Sequence, residues 1–290
     1  SVTGDGTRAI VGASDDDTIA GIDAGSAHVY VRSGSAWTEE ATLLASGAAV
    51  NDGFGFSVAI SSDGLYAIVG APWDDFAALT DAGTARVLVR SGTTWTEQAT
   101  LVATGAADFD AFGSSVAIAA DGSRAVVGAP TDNRGASADI GSARVFARAG
   151  TSWAEEADLI PAILVANARA GTSVAMSSDA SRVIFGAPVD STGSARVFRR
   201  AGTIWTEEAT LVQGGTSQLG SSVALTPDGT RAVVGAPTSM GPVGNEGRAQ
   251  VYVRTGTVWS GEFTLGGSVP GQRAGTSVAI SSDGSRIVLG

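Results

Sequence analysis

The sequence predicts an all-β fold, a β-propeller of four-stranded antiparallel blades, and three observations carry that reading. One is an internal repeat. SVAISSDGLYAIVGAP from Ser57 returns as SVAIAADGSRAVVGAP from Ser115, SVAMSSDASRVIFGAP from Ser173 and SVALTPDGTRAVVGAP from Ser222. Another is an alternating run, SAHVYVR from Ser26, TARVLVR from Thr84, SARVFAR from Ser142, SARVFRR from Ser194 and AQVYVR from Ala249. A third is a tryptophan after each such run: Trp37, Trp95, Trp153, Trp205 and Trp259. Period-two alternation is the mark of a half-buried antiparallel strand, and self-similarity at blade length is the mark of a propeller.

Each repeat divides into four parts, A to D. Part A ends at Ile60, Ile118, Met176, Leu225 and Ile280, and part B ends at Ala13, Ala71, Ala129, Ala187 and Ala236. Between them a tight Asp-Gly turn, as at Asp121-Gly122, predicts a hairpin. Small residues in part A (Val58, Ala59, Ala117, Ala175) suit crowded inner strands. Part C is the alternating run, and a short Gly turn such as Ser91-Gly92-Thr93 returns the chain into part D as a second hairpin. The tryptophan of D is expected to cover the wide outer part of its own blade. Arg32, Arg90, Arg148, Arg200 and Arg254 end part C, across the hairpin from that tryptophan and from Glu39, Glu97, Glu155 and Glu207. They are expected to make cation–π contacts and cross-strand ion pairs.

The units run about 1–53, 54–111, 112–169, 170–218 and 219–273, with a partial one at 274–290. Six A–B hairpins face only five C–D hairpins, so a ring of six or seven blades needs residues from elsewhere. A single propeller domain excerpted from a longer chain is the expectation, since Ser1 lies inside a repeat.

Composition narrows the function. Forty glycines and two methionines among 290 residues suit short strands and turns. The net charge is −11 and every basic residue is arginine, which argues against nucleic acid as a partner. There is no cysteine, hence no disulfide, thiol nucleophile or cysteine-held zinc. No apolar run approaches bilayer length, so membrane insertion is not expected.

Phe54-Gly55 followed by Gly70-Ala71-Pro72, and Phe112-Gly113 followed by Gly128-Ala129-Pro130, resemble FG-GAP repeats. These are the repeats of the integrin α-subunit propeller and of bacterial and algal surface proteins. The GSARVF and TTWTEEATL-like continuations are similar to the bacterial variety. The resemblance spans essentially the whole chain and weakens at Ala170-Gly171, Leu219-Gly220 and Ala274-Gly275. It implies a propeller, usually seven-bladed, working in adhesion or recognition outside the cell or on its surface. The DxDxDG calcium loop of integrin-type repeats is missing: Ser61-Ser62-Asp63-Gly64 and its counterparts at Asp121 and Asp228 carry one carboxylate each. Those aspartates are turn formers, and one carboxylate is too few for calcium.

Length varies only in the B–C and D–A connections, which an up-and-down blade places on one face, where binding residues sit on a rigid scaffold. The candidate binding residues there are Trp73, Asp74, Asp75 and Phe76, with Asp108, Phe109 and Asp110. An aromatic beside carboxylates could stack on a sugar or anchor a protein. Calcium is the one cofactor these loops suggest, through Asp15, Asp16, Asp17 and Asp23, through Asp74, Asp75 and Asp81, or through Asp132 and Asp139, with Asp52, Asp108 and Asp110 of the D–A loops on the same face as further ligands. His28 occupies the slot of Arg86, Arg144, Arg196 and Gln250, so it reads as a repeat variant rather than a general base. The expectation is a non-catalytic module that binds a protein or a glycan. A self-associating structural subunit is the alternative, and a carbohydrate-active enzyme using paired aspartates ranks below both.

Overall fold

The computed structural model describes residues 1–134, 137–163, 165–214, 217–240 and 244–290. The chain separates into two compact units, Ser1–Asp132 with Arg144–Asp158, and Asn133–Ala143 with Leu159–Gly290. Among the described residues all regular structure is strand, and no helix is long and apolar enough to cross a membrane.

The first unit opens with a three-stranded sheet, β1 (Arg8–Ala13), β2 (Ser26–Ser33) and β3 (Ala36–Leu43). Its part A is reduced to a bridge between Val2 and Ala9. Next come β4 (Ser57–Ile60), β5 (Tyr66–Ala71), β6 (Thr84–Ser91) and β7 (Thr94–Leu101) as an antiparallel sheet in chain order. The third sheet has the same order, β8 (Ser115–Ile118), β9 (Arg124–Ala129), β10 (Ser142–Ala149) and β11 (Ser152–Leu159). The second unit carries β12 (Ser173–Met176), β13 (Arg182–Ala187), β14 (Ser194–Ala201) and β15 (Ile204–Val212). A further four-stranded sheet, β16 (Ser222–Leu225), β17 (Arg231–Ala236), β18 (Arg248–Thr255) and β19 (Val258–Gly266), precedes a two-stranded one, β20 (Val278–Ile280) and β21 (Ile287–Leu289).

The repeat boundaries read from sequence coincide with these strands; the turns do not. Gly64, at φ 66°, is followed by Leu65, and Ser61 N–H returns to Tyr66 O. The hairpin therefore closes over a longer loop than a two-residue Asp-Gly turn. Asp63 shapes it by accepting the Leu65 N–H at 2.9 Å and the Ser61 hydroxyl at 2.5 Å.

After their first residue the part B strands β5, β9, β13 and β17 are apolar and buried, because both faces are covered. In β5, Ala67, Val69 and Ala71 pack with Ile10, Val29 and Leu43 of the first sheet. Ile68 on the opposite face packs with Phe112, Val116 and Val127 of the third. In the second unit Ile184, Val197 and Leu211 meet Leu219, Val234 and Tyr252 in the same way.

The family's paired motifs sit where successive repeats interlock. The Phe-Gly phenylalanines Phe54 and Phe112 are fully buried, and Gly25 bridges Phe54 in parallel. A Cβ added at Gly12 would lie 1.8 Å from the Gly55 carbonyl oxygen, and one at Gly70 would lie 2.0 Å from that of Gly113. Only glycine allows the backbones of neighbouring repeats so close.

Two expectations about side chains are corrected. The tryptophans do not cover their own blades: Trp95 packs into the cluster containing Leu43 and Ile10 of the preceding sheet, and Trp153 into that containing Leu101. Trp95 Nε1 donates to Glu40 Oε1 at 3.1 Å, Trp153 Nε1 to Gln98 Oε1 at 3.0 Å, and Trp259 Nε1 to Glu208 Oε2 at 3.2 Å. Register explains the reach. Val29 pairs with Ala41 and Tyr30 with Glu39, so Glu40 is the extra residue of a β-bulge, as are Gln98 and Glu208. A bulge re-aims its side chain, here toward the following repeat's indole.

The part C arginines also behave differently. Arg90, Arg148 and Arg200 donate through Nε to the hairpin carbonyls of Gly64, Gly122 and Ala180. The cation–π contact goes from Arg148 to Tyr66, 4.4 Å from the ring centre, and not to a tryptophan. Ion pairs fall to the arginines that open part B, Arg8–Glu40 at 3.1 Å, Arg124–Glu156 at 2.7 Å and Arg182–Glu208 at 2.9 Å.

Candidate functional site

The variable loops are fixed to the sheets by a buried charge chain that recurs. In the second repeat Asp74 Oδ2 accepts from Thr84 Oγ1 at 2.5 Å and from the Arg86 guanidinium at 2.8 Å. The other side of Arg86 reaches Glu97 at 3.1 Å and Thr100 at 2.7 Å. Glu97 Oε2 then accepts the Ser46 N–H of the preceding D–A loop at 3.0 Å. Burial alone would raise the Glu97 carboxyl, but that N–H and Arg86 outweigh it and hold it below its usual value. Asp132–Arg144–Glu155 and Asp190–Arg196–Glu207 repeat the arrangement, with Thr104 and Ala162 as the loop donors. One guanidinium thus ties a B–C loop, two strands and a D–A loop together.

His28 stands in the first repeat's guanidinium slot. Its Nε2 lies 2.9 Å from Ser26 Oγ and its Nδ1 lies 2.9 Å from Glu39 Oε1. Serine, imidazole and carboxylate in line have the outline of a nucleophile, base and orienting acid. However, Ser26 is fully buried and its hydroxyl donates to Asp16 Oδ2 at 2.7 Å. Its proton is directed at Asp16 and not at the imidazole, and the buried hydroxyl is closed to solvent. In the fifth repeat the slot holds Gln250, and the two carboxylate positions hold Ser239 and Gly261, so the charges disappear together.

The predicted site residues divide sharply. Asp74 and Asp110 are buried, the former bound to Arg86 and the latter accepting the Ala107 N–H at 2.7 Å. Asp17 and Asp75 close their loops by accepting the N–H of Asp23 (3.1 Å) and Asp81 (2.9 Å). Asp108 accepts the Thr80 N–H at 2.9 Å, and Phe109 is exposed at φ 66°. Phe76 is exposed in its own turn, bridged to Leu79. Among the described residues no three His, Cys, Asp or Glu side chains are grouped to hold a metal ion.

Part of the candidate set does converge. Asp15, Asp23, Asn51, Trp73 and Asp81 line an open cleft of about 340 Å³ between the first two B–C loops. Trp73 lies on the Cα of Gly53, where a Cβ would come within 2.4 Å of its ring, and Phe56 meets it edge-on at 5.1 Å. The indole is braced on that side, yet 40% of the residue remains exposed. Three carboxylates, Asp15, Asp23 and Asp81, line the cleft. Burial pushes the adjacent Asp52 carboxyl up to about 6, the Ala49 N–H opposes it, and Asp74 and Asp75 add to the rise. Burial and then Asp75 also raise Asp81.

A comparable cleft in the second unit lies between later B–C loops. Val189, Ser191, Gln218, Thr238, Met240 and Asn245 line it, and Thr238 follows its Gly-Ala-Pro corner just as Trp73 does. Sequence reading missed it because nothing in it is charged or aromatic. An exposed methionine after a Gly-Ala-Pro corner was the available signal.

Residues 37–88 and 95–146 match the model of the FG-GAP repeat. The chain carries FG-GAP repeats. Each matched segment of this FG-GAP chain starts at a part D tryptophan and runs into the next part C, so it spans the joint between successive sheets. No curated protein matches the chain. Among solved structures, a functionally unknown protein from Desulfotomaculum acetoxidans DSM 771 is similar over 100% of this chain and 77% of its own, with TM-score 0.63 and 11% identity. Kuenenia stuttgartiensis hydrazine synthase is similar over 100% and 72%, with TM-score 0.62 and 14% identity. At such identities the likeness concerns the FG-GAP chain's fold alone.

Proposed function

We propose that the chain is a non-catalytic recognition module, β-propeller-like in architecture, that works outside the cell or at its surface and binds a protein partner through its B–C and D–A loop face. The observation that carries this reading is the cleft at Trp73, a braced and exposed indole ringed by Asp15, Asp23 and Asp81. An aromatic face beside unneutralised carboxylates suits a cationic side chain, by cation–π and ion pairing together. Burial is the main cause of the raised Asp52 and Asp81 carboxyls, and the neighbouring Asp75 carboxylate adds to both, a local repulsion that a bound cation would relieve. The match to FG-GAP repeats supports the extracellular setting, since such repeats typically occur in extracellular proteins. A glycan would stack on the same indole, and calcium would draw on the same carboxylates.

The test is titration of tryptophan fluorescence with an oligo-arginine peptide, a neutral oligosaccharide panel and calcium separately. Saturable binding of the basic peptide that falls at least tenfold in Trp73→Ala and Asp81→Asn is expected. Peptide binding that ignores both substitutions would refute the reading, and saturation by sugar or calcium alone would replace it with the corresponding ligand.

A further inference from the structure

In the first repeat the charge chain is rebuilt around an imidazole, and the surrounding groups fix how many protons that ring carries. The hydroxyl that opens part C points the same way in three repeats. Thr84 donates to Asp74 at 2.5 Å, Ser194 to Asp190 at 2.8 Å and Ser26 to Asp16 at 2.7 Å. Where the slot beyond it holds arginine, the guanidinium reaches the same aspartate directly, Arg86 at 2.8 Å and Arg196 at 2.5 Å. An imidazole is shorter. His28 Nε2 stops at Ser26 Oγ, 2.9 Å away, while Nδ1 meets Glu39 Oε1 at 2.9 Å.

A carboxylate only accepts, and a serine hydroxyl has one proton to give. Asp16 takes that proton, so the contact from Nε2 to Ser26 Oγ is a hydrogen bond only when Nε2 carries hydrogen. Glu39 requires hydrogen on Nδ1 in the same way. It also accepts the Thr42 hydroxyl at 2.6 Å, and the His28 bond is the foremost cause that holds its carboxyl below the ordinary value. Hydrogen on both ring nitrogens makes an imidazolium. The charges agree with this count. Glu39 faces the ring from β3, and Asp16 faces it from the B–C loop through Ser26. Uncharged Val11 stands opposite on β1, and the Tyr30 ring of β2 lies 6.5 Å away. Two carboxylates thus flank one cation, as they flank Arg86.

A neutral ring cannot keep the whole set. With hydrogen on Nδ1 alone, the Nε2 lone pair faces Ser26 Oγ, and the hydroxyl turns to the ring and leaves Asp16. With hydrogen on Nε2 alone, a lone pair faces the Glu39 carboxylate, which is the costlier arrangement. We propose that His28 is a pH-operated tie for the first B–C loop, holding Asp16 through Ser26 when the ring carries two protons and releasing it when the ring is neutral. Imidazole is the side chain that changes charge between about pH 5 and 8, whereas the guanidinium that fills the slot in the next three repeats keeps its charge throughout. The loop so held carries Asp15 and Asp23, which line the Trp73 cleft. Any effect on binding there rests on the proposed function; the tie itself does not.

His28 is the single histidine of the chain, so 15N-labelled histidine gives one ring to follow by NMR with no ligand present. At about pH 5.5 both ring nitrogens should carry bonded protons, and Nε2 should lose its proton first as pH rises. Over the same rise, amide exchange across residues 14–25, corrected for its intrinsic pH dependence, should quicken ~tenfold. His28→Arg should keep the loop protected at both ends of the range. His28→Gln should leave it fast at both, since Gln250 turns its amide to the Val251 and Phe263 carbonyls. The glutamine variant retains Asp52 and Asp81, so its difference from wild type isolates the ring. A ring with one proton at about pH 5.5, a ring that titrates while exchange in 14–25 stays level, or a glutamine variant whose loop follows pH as wild type does, would each overturn the proposal. Since no ligand enters the measurement, its failure leaves the reading of the Trp73 cleft standing, and the reverse also holds.

Discussion

Replacing Arg86 with glutamine removes the cation from the middle of a buried charge chain and leaves its neighbours in place. The side chains of Arg86 and Asp74 are each 9% exposed and that of Glu97 is 19% exposed. Three bonds depend on the guanidinium, to Asp74, Glu97 and Thr100. Glutamine can keep the last, as Gln250 does with Thr264 at 2.6 Å. The two carboxylates then face each other's field with only the Thr84 and Thr100 hydroxyls and the Ser46 N–H left. Breaking a buried pair on one side costs ~3–5 kcal/mol, and the retained bond favours the lower end. Converting the whole set, Asp74→Ser, Arg86→Gln and Glu97→Gly, copies the fifth repeat and removes the stranded charges. That variant should lose only about 1 kcal/mol, mostly from glycine in a strand and the lost Ser46 contact. Urea unfolding followed by tryptophan fluorescence and circular dichroism measures both. The single variant should also recover as pH falls below the carboxylate range, because protonation neutralises what arginine no longer balances. A single-variant loss under 1 kcal/mol, or a triple variant weaker than the single one, would refute the account of Arg86 as a neutralising tie.

Asp52 gives a pH prediction of its own. Its folded value of about 6 lies above the unfolded one, so its contribution is fully present at low pH and is lost as pH rises through the folded value. Asp52 should lower wild-type stability by about 1–2 kcal/mol between roughly pH 4 and 6, allowing for solvent at the cleft, and Asp52→Asn should remove that part of the fall in denaturant midpoints, leaving the smaller part due to Asp81. Trp95→Ala strips the cover from Glu40 and a joint between two sheets, and should cost ~3–5 kcal/mol. Trp37→Ala, at an indole already 44% exposed, should cost under ~1 kcal/mol in the same unfolding assay.

The strands were legible because repetition supplies five readings of one pattern. Alternation in SARVF and its relatives fixes a half-buried strand, and the corners at Ala71, Ala129 and Ala187 mark the strand ends. The direction of the indoles was not legible. It depends on a bulge that makes Glu40 an extra residue, and no local propensity announces a bulge. The charge chain escaped for a related reason: Asp74, Arg86 and Glu97 sit on a loop and two strands, each unremarkable alone. Comparing repeats could have found it, since Ser239, Gln250 and Gly261 replace all three members at once. In the cleft, Trp73 was visible as the tryptophan outside part D, whereas Asn51 and the bracing by Gly53 required the fold.

The bulged acceptor and the indole that reaches back to it give each sheet two unlike sides, one that offers an N–H and one that receives it. A copy of a repeat therefore inherits both halves of the joint. Duplicating or deleting a whole repeat regenerates a matching junction without any new mutation. Lengthening or shortening such an array by gene duplication is structurally inexpensive, and the loops on its variable face are free to diverge meanwhile, as the acidic cleft at Trp73 and the neutral one at Met240 have done.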